Sequence, residues 1–283
     1  MKILDGKKLS ERILDGLKKK VKNRYLKLSL AVILVGNGQI SRIFIHGIEK
    51  DSEKIGIDFK LFKFPAKIKP FNLKKEIKAI VRNPQNDGVI IQLPLPKKFH
   101  SEEFLNLIPA EKDINVLSEK SLGKFYQGTL KILPPTVEGI LELLKNYKIR
   151  ILGKDVVIIG VGRLVGFPLA TQLLKEKATV SVLNEFTKGT PFFTKKADIL
   201  ISGTGKANLI KGKMIKKRAI VIDAGTTIKG KKLVGDVDFK SVSKKASFIT
   251  PVPGGVGPMT VACLLKNLVI LNTSIKSSIN TRL

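Results

Sequence analysis

Two glycine-rich segments hold the residues whose types and spacing could do chemistry. Gly160-Val-Gly-Arg-Leu-Val-Gly166 spaces its glycines G-x-G-x-x-x-G directly after the apolar run Asp155–Gly160. A turn of this kind between strand and helix offers backbone N–H groups and a helix N-terminus to a pyrophosphate. The spacing is one residue longer than the standard dinucleotide fingerprint, and alone it also describes an ordinary strand-to-helix turn. Nearer the C-terminus, Thr250-Pro-Val-Pro-Gly-Gly-Val-Gly-Pro-Met-Thr260 sets three glycines and three prolines in eleven residues. Proline removes backbone donors and fixes φ, while glycine opens positive φ and lets a ligand approach the main chain. The run therefore predicts a rigid, non-helical loop between a strand-like Ala246–Ile249 and an apolar helix over Val261–Leu271. Such loops often carry ligand sites. Glu185 follows the strand-like Thr179–Leu183. A carboxylate there either faces solvent or accepts hydrogen bonds from a ribose 2′-OH and repels a 2′-phosphate.

The elements that must position these residues alternate. Leu9, Ile13, Leu17 and Val21 recur at helical spacing, and Leu28–Val35 reads as a buried parallel strand ending in a glycine turn. Ser41 is placed to cap a helix ending near Gly56. Phe59–Phe64 and Gly88–Leu93 read as strands, Phe71–Asn83 and Glu102–Leu107 as helices. A second series follows: helix Val137–Tyr147, strand Asp155–Gly160, helix Leu164–Lys175, then strands Thr179–Leu183, Ile199–Ser202 and Ala219–Asp223. Strands alternating with helices mean parallel sheets covered on both faces, so the chain is α/β. Two such series predict two lobes around a cleft.

Composition narrows the classes. The chain has 283 residues, 43% of them apolar, enough for one large domain or two ordinary ones. No run of about eighteen uncharged apolar residues is present, so no membrane-spanning segment is expected, and the acidic fifth residue argues against a secretory leader. Cys263 is the single cysteine, which excludes an intrachain disulfide and suits a reducing, cytoplasmic setting. One cysteine and two histidines without ligand spacing predict no metal site. Lysine and arginine number 52 against 23 aspartates and glutamates, a net charge of +29. Such a surface attracts polyanions nonspecifically. The lysines are nevertheless spread along the whole chain, and no nucleic-acid-binding motif accompanies them.

Eight pieces in order resemble one family, the bifunctional methylenetetrahydrofolate dehydrogenase/cyclohydrolases. They are Ile3-Leu-Asp-Gly6, Leu30–Gly36, Asp87–Pro96, Lys112-Asp113, Pro134-Pro-Thr136, Val165-Gly-Phe-Pro168, Gly235-Asp-Val237 and the Pro/Gly run. The resemblance spans nearly the whole chain. It implies a folate-binding catalytic lobe over residues 1–135 plus 258–283, since the family's last helix returns to that lobe. It also implies a Rossmann-like, parallel-sheet nucleotide lobe over 136–257. It further implies a nicotinamide cofactor, tetrahydrofolate substrates that include polyglutamylated forms, and a homodimer formed through the nucleotide lobe.

The resemblance assigns site residues, and some depart from the pattern. Gly160, Gly162 and Gly166 line the cofactor turn. Val161 stands where many members have Arg or another polar residue at the 2′-phosphate of NADP, and Glu185 where they have Ser. Both departures favour NAD over NADP. Thr226, in Asp223-Ala-Gly-Thr-Thr227, would meet the nicotinamide end through its backbone, and Gly203-Thr-Gly205 would border it. In the family's Ser-x-x-Tyr-x-x-x-Lys pattern the catalytic Tyr and Lys are here Phe44 and Ile48. Isoleucine can neither donate nor accept a proton, and Lys50 lies about 200° further around the helix. Gln92 matches the glutamine that normally bonds the lysine. Asn115 replaces the family aspartate that grips the pterin, a weaker neutral acceptor, and Val116 replaces glycine. Pro253, Gly254 and Gly255 complete the substrate loop. The expected function is oxidation of 5,10-methylenetetrahydrofolate, with hydrolysis to 10-formyltetrahydrofolate weak or lost. A non-catalytic dinucleotide- or folate-binding descendant and a polyanion-binding protein are the alternatives.

Overall fold

The computed structural model describes residues 1–230 and 232–279. The chain divides into two compact units, Met1–Ser10 with Thr136–Thr260, and Glu11–Pro135 with Val261–Leu283.

The second of these is built on three parallel strands in the order β3-β2-β4, with β2 (Ser29–Val35) between β3 (Asp58–Phe64) and β4 (Gly88–Ile91). Every residue of β2 is buried, so its side chains sort alternately to two faces. Leu30, Val32 and Leu34 pack with α1 (Gly6–Asn23), α2 (Gln39–Ile55) and α10 (Val256–Ile279). Ala31, Ile33 and Val35 pack with α3 (Pro70–Arg82) and α4 (Ser101–Leu105). Asn267 of α10 donates to the carbonyls of Ile114 and Leu133, and Leu268 presses on Gly88 where a Cβ would not fit. These contacts tie the last helix into this unit. A short helix that the periodicity did not predict, α5 (Glu119–Gln127), is capped by Ser118.

The other unit carries six parallel strands in the order β1-β11-β8-β7-β5-β6. These are β1 (Lys2–Ile3), β5 (Asp155–Ile159), β6 (Thr179–Leu183), β7 (Ile199–Ser202), β8 (Ile220–Asp223) and β11 (Phe248–Ile249). The sheet reverses direction of growth at β5, between β6 and β7, and the carboxyl ends of strands at such a switch point are where α/β sheets bind ligands. Helices α6 (Pro135–Asn146), α7 (Gly166–Lys175), α8 (Thr190–Thr194) and α9 (Phe239–Val242) complete the unit, with an antiparallel hairpin of β9 (Thr227–Lys229) and β10 (Lys232–Val234).

Three expectations change. Residues 1–10 belong with the six-stranded unit, not with the folate lobe, because β1 pairs with β11 and Leu4 N–H donates to the Ile249 carbonyl at 2.8 Å. A two-residue strand has no periodicity to read. Ser41 is not a cap: α2 starts after Gly38, and Ser41 is buried inside the helix. The Pro/Gly run is partly helical, since α10 begins at Val256. Pro258 is tolerated there because first-turn N–H groups have no intrahelical partner.

Candidate active site

The turn after β5 is shaped by what cannot fit in it. Gly160 has φ +106° and donates its N–H to the Leu183 carbonyl at 2.8 Å. A side chain on Gly160 would meet the Gly203 carbonyl, and one on Gly166 would overlap the carbonyl of Gly160. Gly162, by contrast, faces open space. Helix α7 starts at Gly166 with no side-chain cap. Open room at Gly162 beside an uncapped helix N-terminus is a cradle a pyrophosphate can fill. Val161 is half-buried and Arg163 keeps a partner of its own. At the end of β6, Asn184 accepts from the Phe186 N–H at 3.0 Å and its own N–H donates to Thr187 Oγ1, leaving Glu185 exposed on the turn.

The 203–205 and 224–226 loops are neighbours: a Cβ on Gly205 would come within 3.9 Å of the exposed Thr226's carbonyl oxygen. Behind them lie two carboxylates to which the sequence motifs assign no role. Asp223 and Asp236 are both buried. Asp223 accepts from the N–H groups of Gly225, Asp236 and Val237. Burial nevertheless pushes its carboxyl up to about 6, against those three bonds and with the Asp236 charge adding to the rise. The signal available was Gly235-Asp-Val237, a matching piece without an assigned task.

In the Pro/Gly loop the Val252–Pro253 peptide is cis and Gly254 has φ +104°. Gly254 uses its carbonyl to accept from the Lys7 N–H at 2.9 Å. Gly255 is buried against Thr250 and Pro251, and Pro253 is exposed.

In the three-stranded unit, Phe44 and Ile48 lie one turn apart on α2. Ile48 is 0% exposed, inside the apolar cluster that also holds Leu30, Val32, Ile114 and Val116, and half-buried Phe44 packs on the same cluster. Lys50 is exposed, and so is His46, whose Nδ1 lies 3.6 Å from Glu49. Gln92 follows β4, its N–H donating to the Ile33 carbonyl and its amide to that of Leu93. Asn115 is half-buried between two anchored neighbours. Asp113 accepts from Leu117, Ser118 N–H and Ser118 Oγ, and the Lys112 ammonium donates to the carbonyls of Val81 and Asn83. Lys112-Asp113 is thus a structural clamp beneath Asn115. Val116 is buried at φ +57°, a left-handed conformation that a β-branched residue rarely adopts. Its side chain adds to the core.

Two family models cover most of the chain. Residues 4–115 match the catalytic domain of tetrahydrofolate dehydrogenase/cyclohydrolase, and residues 134–276 match its NAD(P)-binding domain. The chain belongs to this family. It is 43% identical to the bifunctional protein FolD of a Nitratiruptor species, across 95% of this chain and 97% of that one. Among solved structures it is similar to the FolD methylenetetrahydrofolate dehydrogenase/cyclohydrolase of Campylobacter jejuni, with TM-score 0.92 and 40% identity, covering 97% and 99% of the two chains. It is also similar to the Trypanosoma brucei FolD complexed with NADP cofactor and inhibitor, with TM-score 0.90 and 32% identity, covering 96% and 97%. The Gly160–Gly166 turn lies within the stretch that matches the NAD(P)-binding domain. Helix α10 is long and apolar enough over Val256–Thr273 to cross a membrane by length and composition, with mean hydropathy 1.3, but 61% of that stretch is buried in the protein. It is a core helix.

Proposed function

We propose that this family member oxidises 5,10-methylenetetrahydrofolate to the 5,10-methenyl form and hydrolyses the product poorly or not at all. The observation that carries the reading is Ile48, wholly enclosed by apolar side chains where the family places its lysine. When bound, the nicotinamide accepts the hydride that leaves the methylene carbon. That step needs no proton transfer, and holding the two partners together supplies much of its rate. Gln92, Asn115 and Phe44 remain to position the folate. Hydrolysis differs: a water must lose a proton as it adds to the methenyl carbon, and a ring nitrogen must gain one as its bond to that carbon breaks. Positioned acid–base groups contribute about 10²–10⁴-fold to such steps, and neither Ile48 nor Phe44 can supply them.

NAD is the preferred cofactor on this reading. Glu185 is exposed at the end of β6 beside the cradle, and with Val161 it leaves a 2′-phosphate without a polar partner and facing a negative charge. The protein works as a homodimer through the six-stranded unit. The support is the edge position of β6 and the exposure of Val182, Leu164, Phe167 and Leu174 around it. The net charge of +29 draws in anionic, polyglutamylated folates, and the single buried thiol, Cys263, suits the cytoplasm.

The deciding experiment measures rates with methylene- and methenyltetrahydrofolate, each with NAD and NADP. Oxidation with NAD and little hydrolysis is expected. Hydrolysis at the level of oxidation would overturn the reading. Binding of both ligands without turnover would point to a non-catalytic descendant, which the substitutions at Phe44, Ile48 and Asn115 also favour.

A further inference from the structure

The two loops that border the dinucleotide site converge on one buried side chain. Asp236 is 0% exposed. Its Oδ2 accepts from the Ser202 hydroxyl at 2.8 Å and from the Thr204 N–H at 2.6 Å, so it holds the end of β7 and the 203–205 turn. Its backbone N–H donates to Asp223 Oδ1 at 3.0 Å, and that same oxygen accepts the Gly225 N–H at 3.0 Å. Asp223 is held in turn by Thr250 Oγ1, which accepts its N–H at 2.7 Å at the head of the Pro/Gly loop. The chain passes directly over these groups. A Cβ on Gly225 would overlap the Asp236 carboxyl, and one on Gly235 would overlap that of Asp223.

We propose that Asp236 is a positioning residue of the dinucleotide site, fixing the 203–205 and 224–226 loops against each other so that their backbone groups face the nicotinamide end. The proposal rests on the assignment of those loops to the cofactor made above. Two features separate this role from plain packing. One carboxylate oxygen accepts from donors at the end of β7 and in the turn after it, while the 224–226 loop lies on the carboxyl itself without space for a side chain. The second oxygen, Oδ1, is buried and has no hydrogen-bond partner among the described residues. An unpaired buried acceptor is destabilising, and an apolar residue would fill the volume without that penalty. What the carboxylate adds is a pair of charge-assisted bonds, one from the buried Ser202 hydroxyl at the end of β7 and one from the N–H of half-buried Thr204 in the turn.

The test uses the full-length chain with Asp236→Ala, Asp236→Asn and Ser202→Ala, read by NADH affinity and by amide hydrogen exchange. In Asp236→Ala, exchange should quicken at both 203–205 and 224–226, with β2 of the three-stranded unit unchanged. The NADH Kd should rise about 10-fold, as both bonds to the carboxylate are lost. Asp236→Asn keeps an acceptor for the Thr204 N–H and should recover most of the affinity. Ser202→Ala removes a single bond and should shift both readouts the same way by about 2–3-fold, which serves if Asp236→Ala does not fold. Loosening of one loop only, wild-type exchange in Ser202→Ala, or wild-type NADH affinity with both loops loosened would each overturn the proposal. A wild-type chain that binds no NADH would instead refute the cofactor assignment, and coupled exchange would then decide alone whether Asp236 joins the loops.

Discussion

Gly6 lies against the carbonyl of Gly255 with no space for a methyl group between them. The contact joins the two ends of the matching pattern, Ile3-Leu-Asp-Gly6 and the Pro/Gly run, and the Lys7 N–H bonded to the Gly254 carbonyl runs beside it. Asp5 helps fix the approach: its Oδ1 accepts from the Lys8 N–H at the start of α1, and its own N–H donates to the Tyr147 hydroxyl.

Gly6→Ala should therefore force the loop to move. A loss of about 1–3 kcal/mol is expected, as for other overpacked sites. Gly16→Ala is the control, because its α1 position faces open space; there alanine should gain about 0.5–1 kcal/mol by helix propensity. Thermal denaturation of both variants checks the pair. Equal melting temperatures would mean that the Gly6–Gly255 contact is loose.

Ile48→Lys tests the catalytic reading from the other side. The new ammonium would enter a cluster in which Ile48 is fully enclosed, so stability should fall, since a charge loses hydration there. Hydrolysis of methenyltetrahydrofolate should still rise, by about 10²-fold if the lysine recovers the family role, and further with Phe44→Tyr. A folded double variant with unchanged hydrolysis would show that other parts of this pocket have drifted as well.

The alternation of strands and helices was legible because β2 and β4 are buried along their length and therefore read as unbroken apolar runs. Their partners α1 and α3 bury one face each and so show helical spacing. What stayed hidden depends on contacts distant in sequence. β1 is a strand only because β11 lies beside it, and the β9–β10 hairpin is too short and too exposed to alternate. At the candidate site, the glycine turn shows in its spacing, whereas Glu185 stands out through the resemblance to the family. Ile48 was recognised as a departure, but only packing shows it to be part of the core. Asp236 stands in a matching piece, Gly235-Asp-Val237, but its role is hidden there because its partners Ser202, Thr204 and Gly225 come from two other strand ends.

Glu185→Ser should move cofactor preference toward NADP. Removing the carboxylate takes a negative charge from the position beside the adenosine ribose and leaves a hydroxyl that can donate to a phosphate. The ratio of kcat/KM for NADP over NAD should increase about 10-fold or more, most of it in KM for NADP. An unchanged ratio would mean that Glu185 merely faces solvent. Tight NADP binding by the wild-type chain would mean that neighbouring lysines already hold the phosphate.

The pH dependence of stability follows from Asp223. Its carboxyl is raised from 3.8 to about 6 in the folded protein, mainly by burial, so the folded state holds that proton more tightly than the unfolded chain does. The resulting contribution is full below pH 3.8, declines as pH rises and is gone above about 6. Asp223→Asn removes the titration. The stability of the wild type relative to this variant should thus fall between pH 4 and 6, by up to about 1.4 kcal/mol per pH unit. Asparagine also gives up one of the acceptor oxygens used by Gly225, Asp236 and Val237, which lowers the variant's stability at every pH without changing the slope. Urea denaturation of both proteins across that range separates the offset from the slope. Parallel curves would mean that the three N–H groups hold Asp223 ionised at the pH of an ordinary carboxylate, and that burial is the weaker influence.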